Sequence, residues 1–64
     1  MTPEAEILLL ILAASGGTMD GPAANRELHR VLSLSPGEQA EWRRWIAPIV
    51  QAQARRALRA EVES

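Results

Sequence analysis

Residues 7–14 read Ile-Leu-Leu-Leu-Ile-Leu-Ala-Ala, and no other stretch of the chain restricts its folding as strongly. These are good helix formers, and at about 100° per residue Ile7 through Leu12 point to every side of nearly two turns. A surface helix carries one apolar stripe, whereas a helix that is apolar all round needs cover all round. The chain has 64 residues, so little is left to provide that cover. Two short partner helices cover one side of such a helix and hardly its full circumference. The segment is therefore expected to be the central core helix, with outer side chains such as Leu9 and Leu10 available to a second copy or another protein.

The run is too short for a bilayer span, which takes about 20 apolar residues. It follows Glu4 and Glu6 rather than Lys or Arg, so it does not read as a secretory signal. A soluble cytoplasmic protein without membrane contact is the expectation. A chain of 7.0 kDa forms at most one domain and folds to about 4,000 Å² of exposed surface. Apolar burial on this scale barely offsets the entropy of ordering the chain, so small domains add a disulfide, a metal or a partner subunit. With no cysteine in the chain, disulfides and thiolate metal sites are excluded. His29 is the lone imidazole and would leave a metal to carboxylates, so no cofactor is expected. Efficient helix packing or a homo-oligomer remains.

Start and stop signals divide the chain clearly. Thr2 can cap, Pro3 suits the first helical position, and Glu4 and Glu6 complement the dipole of a helix over about 3–15. Ser15-Gly16-Gly17 tolerates the left-handed turn that ends it. Asp20 or Gly21 can cap a second helix over about 22–33, where Ala24, Leu28, Val31 and Leu32 recur on one face. Ser35-Pro36-Gly37-Glu38 is a capping box with proline in the first turn and starts a third helix. Pro48 lies inside the helical segment beyond that box, removing a hydrogen bond to the Arg44 carbonyl. The spacing predicts helices over about 36–47 and 48–62, broken at Pro48 or joined through a kink there. The fold class is all-α, a small bundle of three to four helices with a long last element.

In the C-terminal half, Trp42, Trp45, Ile46, Ile49, Gln53, Ala57 and Ala60 cluster on one side at helical spacing. Arg44, Pro48, Gln51, Arg55 and Arg59 fall on another. Nothing in the chain resembles a catalytic constellation, because a base or nucleophile with an orienting partner is lacking. There is also no glycine-rich phosphate loop behind a strand. An enzyme is not expected. Trp and Arg are the residues most enriched at binding hot spots, although two tryptophans three apart also suit a core stripe. Arg43, Arg44, Arg55 and Arg59 can meet phosphates or balance nearby glutamates such as Glu41. The net charge of -1 opposes a strongly basic nucleic-acid binder.

Leu28-His29-Arg30-Val31-Leu32-Ser33-Leu34-Ser35-Pro36-Gly37-Glu38 resembles the middle of a helix-turn-helix unit. There, a leucine-rich helix ends in a short turn and a Leu-Ser-Pro entry begins the recognition helix. Residues 5–46 are similar to the N-terminal part of winged-helix regulators. The resemblance implies a tri-helical domain whose groove-facing side chains include Gln39, Arg43 and Arg44. The chain departs from that pattern at His29, where a small residue is usual, and at Gln39, where an aliphatic is usual. Continued helix stands where a hairpin wing would follow. Together these features predict a non-enzymatic protein-binding module acting through Leu9, Leu10, Trp42, Trp45 and Ile49. The alternative is a helix-turn-helix-like DNA-binding regulator using Gln39, Arg43, Arg44, Arg55 and Arg59. In either case self-association is expected.

Overall fold

The structure, a computed structural model, describes residues 2–63. Three helices follow one another, α1 over Pro3–Ser15, α2 over Gly21–Leu32 and α3 over Pro36–Glu63, and no strand occurs among the described residues. Each helix begins where its capping chemistry lies. The Thr2 hydroxyl accepts from the Ala5 N–H at 3.2 Å, and the Asp20 carboxylate accepts from the Ala23 N–H at 2.8 Å. At α3 the box closes in both directions, with the Glu38 N–H donating to Ser35 Oγ at 3.3 Å and the Ser35 N–H to Glu38 Oε1 at 3.1 Å. Each pair satisfies backbone donors that have no partner within the helix itself.

The helix ends are equally local. Gly16 takes φ 64° and donates its N–H back to the Ala13 carbonyl, while Gly17 follows at φ 83°. A left-handed conformation costs a side-chain-bearing residue about 1–2 kcal/mol, which glycine avoids. α2 ends with the Ser33 N–H shared between the His29 and Arg30 carbonyls, and the Ser33 hydroxyl also donates to the His29 carbonyl. A short connection, Ser33 to Ser35, then leads into α3.

Pro48 does not break the chain into a fourth helix: α3 runs through it for 28 residues. Of the two arrangements expected for 36–47 and 48–62, broken at Pro48 or joined through it, the joined one is found, as a single element. Ile46 before the proline is buried and Val50 after it packs on the same core, so a break would lift one of them away. The lost hydrogen bond is local, whereas the contacts on both sides of it hold the axis together.

α1 is the centre. It packs against both α2 and α3, which barely meet each other. Ile7 and Ile11 from α1, Ala24 and Val31 from α2, and Trp42 and Ile46 from α3 form the buried core. Leu8, Leu10, Ala14, Leu28, Leu32, Leu34 and Val50 surround it, half-buried. The face read from α2 is thus the face it buries. On α3 the stripe stops early. Trp42 and Ile46 are buried and Ile49 and Gln53 half-buried, but Ala57 and Ala60 are exposed, because α1 has already ended at Ser15.

The last helix sets the length of the molecule. A helix rises roughly 1.5 Å per residue, so the 28 residues of α3 account for the longest dimension, 42 Å. Every described residue from Ala54 to Glu63 is exposed. The Cα radius of gyration is 12.8 Å. A compact chain of this length would have roughly 11 Å.

Candidate functional site

The capping box that starts α3 also builds a groove on the surface. It places Glu38 in the first turn, Glu41 and Trp42 in the next and Trp45 one turn later, all on adjoining sides of the helix. The groove between them is closed by Leu34 from the connection and Arg30 from α2. Trp42 forms its inner wall and is 7% exposed, so its indole belongs to the core. Trp45, three residues on, is 62% exposed. Three helical steps fall short of a full turn, which points one indole inward and the other along the rim.

The electrostatics of this groove are acidic. Arg30 is engaged by Glu27, donating from Nε to Oε1 at 2.7 Å, and this pairing raises the guanidinium above its ordinary range. The pair leaves Glu38 and Glu41 to set the local charge. The Glu38 carboxylate lies below its usual range because it accepts from the Ser35 N–H and then because of the Ser35 hydroxyl. It stays ionised at neutral pH. The result is an exposed indole over a half-buried leucine, rimmed by two carboxylates.

The remaining side chains singled out from the sequence are scattered. Leu9 is 52% exposed on the outer side of α1, Leu10 is half-buried against the core, and Ile49 is half-buried one turn beyond Trp45. Trp42, expected to serve at a surface, cannot reach a partner while the core is intact, so of the two indoles only Trp45 is presented. Gln39 donates from Nε2 to the Leu34 carbonyl at 3.3 Å, and Arg43 is paired with Glu6 of α1. Both are thereby occupied within the fold. Arg44, Arg55 and Arg59 are exposed. They lie on one side of α3, with Arg44 about three turns from Arg55.

Leu34, Glu38 and Glu41 were not singled out as surface residues by sequence reasoning, although a signal was present. Glu38, Glu41 and Trp45 stand at i, i+3 and i+7, the spacing of one helical side. The sequence offered no such signal for a second groove, between the end of α1 and α3. It is lined by Leu12, Ala13, Gly16, Val50, Ala54 and Ala57 among others, and it exists only because the two helices differ in length.

Among the described residues no cluster of three His, Asp or Glu could hold a metal ion, and no helix is long and apolar enough to cross a membrane. The chain matches no protein-family model, no curated protein and no solved structure.

Proposed function

We propose that this chain is a non-enzymatic helical module that binds a protein partner through the Trp45 side of α3. The observation that carries the reading is the exposure of Trp45 in a small domain whose other indole is buried. A tryptophan left at 62% exposure keeps much of a large apolar surface in water, a cost that binding relieves. Aromatic anchors of this kind dominate interface energetics when a partner encloses them. Glu38 and Glu41 at the rim favour a partner segment that carries basic residues beside an apolar one, steering it on approach. The internal engagement of Gln39 and Arg43 supports a protein partner over nucleic acid. So does the acidic net charge, whose field does not attract phosphate.

Affinity capture from a lysate of the source organism tests this, comparing wild type, Trp45→Ala and Arg55→Gln/Arg59→Gln. The expected result is a captured protein, identified by mass spectrometry, whose purified form binds Trp45→Ala at least ~2 kcal/mol more weakly. The arginine double variant is expected to alter mainly association rate and salt dependence. Recovery of nucleic acid alone, lost in the arginine variant and kept by Trp45→Ala, overturns the reading.

A further inference from the structure

Two carboxylates stand at the Trp45 groove without a cation of their own. Among the described residues Arg30 pairs with Glu27 and Arg43 with Glu6, and neither Glu38 nor Glu41 joins an ion pair. Arg30, the cation on the groove wall, has its charge balanced by Glu27. Glu38 gives Oε1 to the Ser35 N–H, and both Glu38 and Glu41 are exposed. Charge complementarity therefore asks for cations on whatever covers the indole.

The groove is laid out along α3. Glu38, Glu41 and Trp45 recur on one side at helical spacing. At roughly 1.5 Å per residue, Glu41 lies about 6 Å from Trp45 along the axis and Glu38 about 10 Å. Half-buried Leu34 and buried Trp42 close the groove from below. An apolar anchor on Trp45 and Leu34, with cations at those two distances, matches one side of a second helix, where residues one and two turns apart align. A strand would need a sheet edge to pair with, and the described residues form no strand.

The ends of α3 select the direction. Its carboxylates lie in the first two turns and Trp45 in the third. A helix holds cations best in its last turns, against the negative end of its dipole. A partner helix with its basic residues there sets its C-terminus beside the N-terminus of α3. The two then run antiparallel, with the partner's apolar anchor first and its basic residues after it.

We propose that the Trp45 groove takes an amphipathic helix of a partner protein, antiparallel to α3. Its large apolar residue seats against Trp45 and Leu34, and its lysines or arginines, one and two turns later, meet Glu41 and Glu38. The inference rests on the reading of Trp45 as the binding surface and adds the partner's conformation, charge and direction.

Selection from a displayed library of random peptides, on the immobilised full chain, tests it. The expected consensus is a large apolar residue with Lys or Arg four and seven residues later, in peptides that are helical when bound. A selected peptide should bind Trp45→Ala at least ~30-fold more weakly, the loss of an anchor worth ~2 kcal/mol. It should bind Glu41→Arg at least ~10-fold more weakly, because like charges then meet. Both side chains are exposed, so both variants should keep the wild-type melting profile. Selection on Glu41→Arg should replace the first basic residue by Asp or Glu, which a general attraction of cations to an acidic chain would not produce. Peptides that need Trp45 but lack basic residues, carry them before the anchor, or bind in an extended form overturn the inference and leave the Trp45 reading in place. A library that yields no binder, or only binders indifferent to Trp45→Ala, overturns it as well. The Trp45 reading fails separately, if a partner captured from lysate binds Trp45→Ala as tightly as wild type.

Discussion

Substituting Gly16 by alanine tests how the end of α1 is fitted to α3, because the residue carries two separable demands. The first is conformational, since Gly16 sits at φ 64°. An alanine in that left-handed region meets a penalty of about 1–2 kcal/mol, partly offset by a less flexible unfolded chain. The second is steric, since a Cβ at Gly16 would lie 2.8 Å from Gln53 Oε1. That atom is the far end of a flexible side chain, so the amide rotates away at about 0.5–1.5 kcal/mol. Gly17 has φ 83° but open space around its Cβ position, and so isolates the first demand. Gly17→Ala is expected to cost about 1 kcal/mol and Gly16→Ala about 2 kcal/mol. For a domain this small, about 1 kcal/mol lowers the melting temperature by roughly 4–8 °C, which thermal melts followed by circular dichroism resolve. Adding Gln53→Ala to Gly16→Ala should recover most of the difference between the two glycine variants. Equal melting of Gly16→Ala and Gly17→Ala would refute the Gln53 contact, and wild-type melting of both would refute the left-handed cap.

Pro48→Ala restores an N–H to the middle of α3 and removes the ring's clash, so chemical denaturation should show a gain of up to ~3 kcal/mol; a loss would mean that a helix begins at Pro48. Ser35→Ala should lower stability by about 1 kcal/mol in the same measurement, and unchanged stability would show that α3 is not capped there. Glu38 is shifted down on folding, so its contribution is present above the ordinary glutamate range and lost as pH falls through its lowered value. Glu38→Gln should melt with less pH dependence than wild type across that acidic window. Trp42→Ala should cost about 3–5 kcal/mol and unfold most of the chain. Trp45→Ala should melt with the wild type, because that indole is exposed.

Much of this molecule was legible from local chemistry. Thr2, Asp20 and the Ser35–Glu38 box are caps whose bonds close over three residues. Their positions therefore mark the helix starts whatever the rest of the chain does. Gly16 and Gly17 end α1 for an equally local reason. The face of α2 followed from spacing, because one stripe on a short helix has one direction in which to bury itself. The excess of Leu and Ile around α1 likewise implied that two neighbours would leave a side uncovered, and Leu9 and Leu12 are on that side.

What the residues could not decide is where each helix runs out of neighbours. Pro48 admits both a break and a continuous helix, and the balance was struck by Ile46 and Val50 packing on the core on either side of it. Trp42 and Trp45 fall within one broad apolar stripe by spacing, yet one is core and the other surface, because they stand a partial turn apart and which edge of the stripe is covered is set only when the helices pack. The groove between the end of α1 and α3 has no sequence signature. It arises because α1 stops at Ser15 while α3 continues to Glu63, a relation between two helices that is set only when they pack.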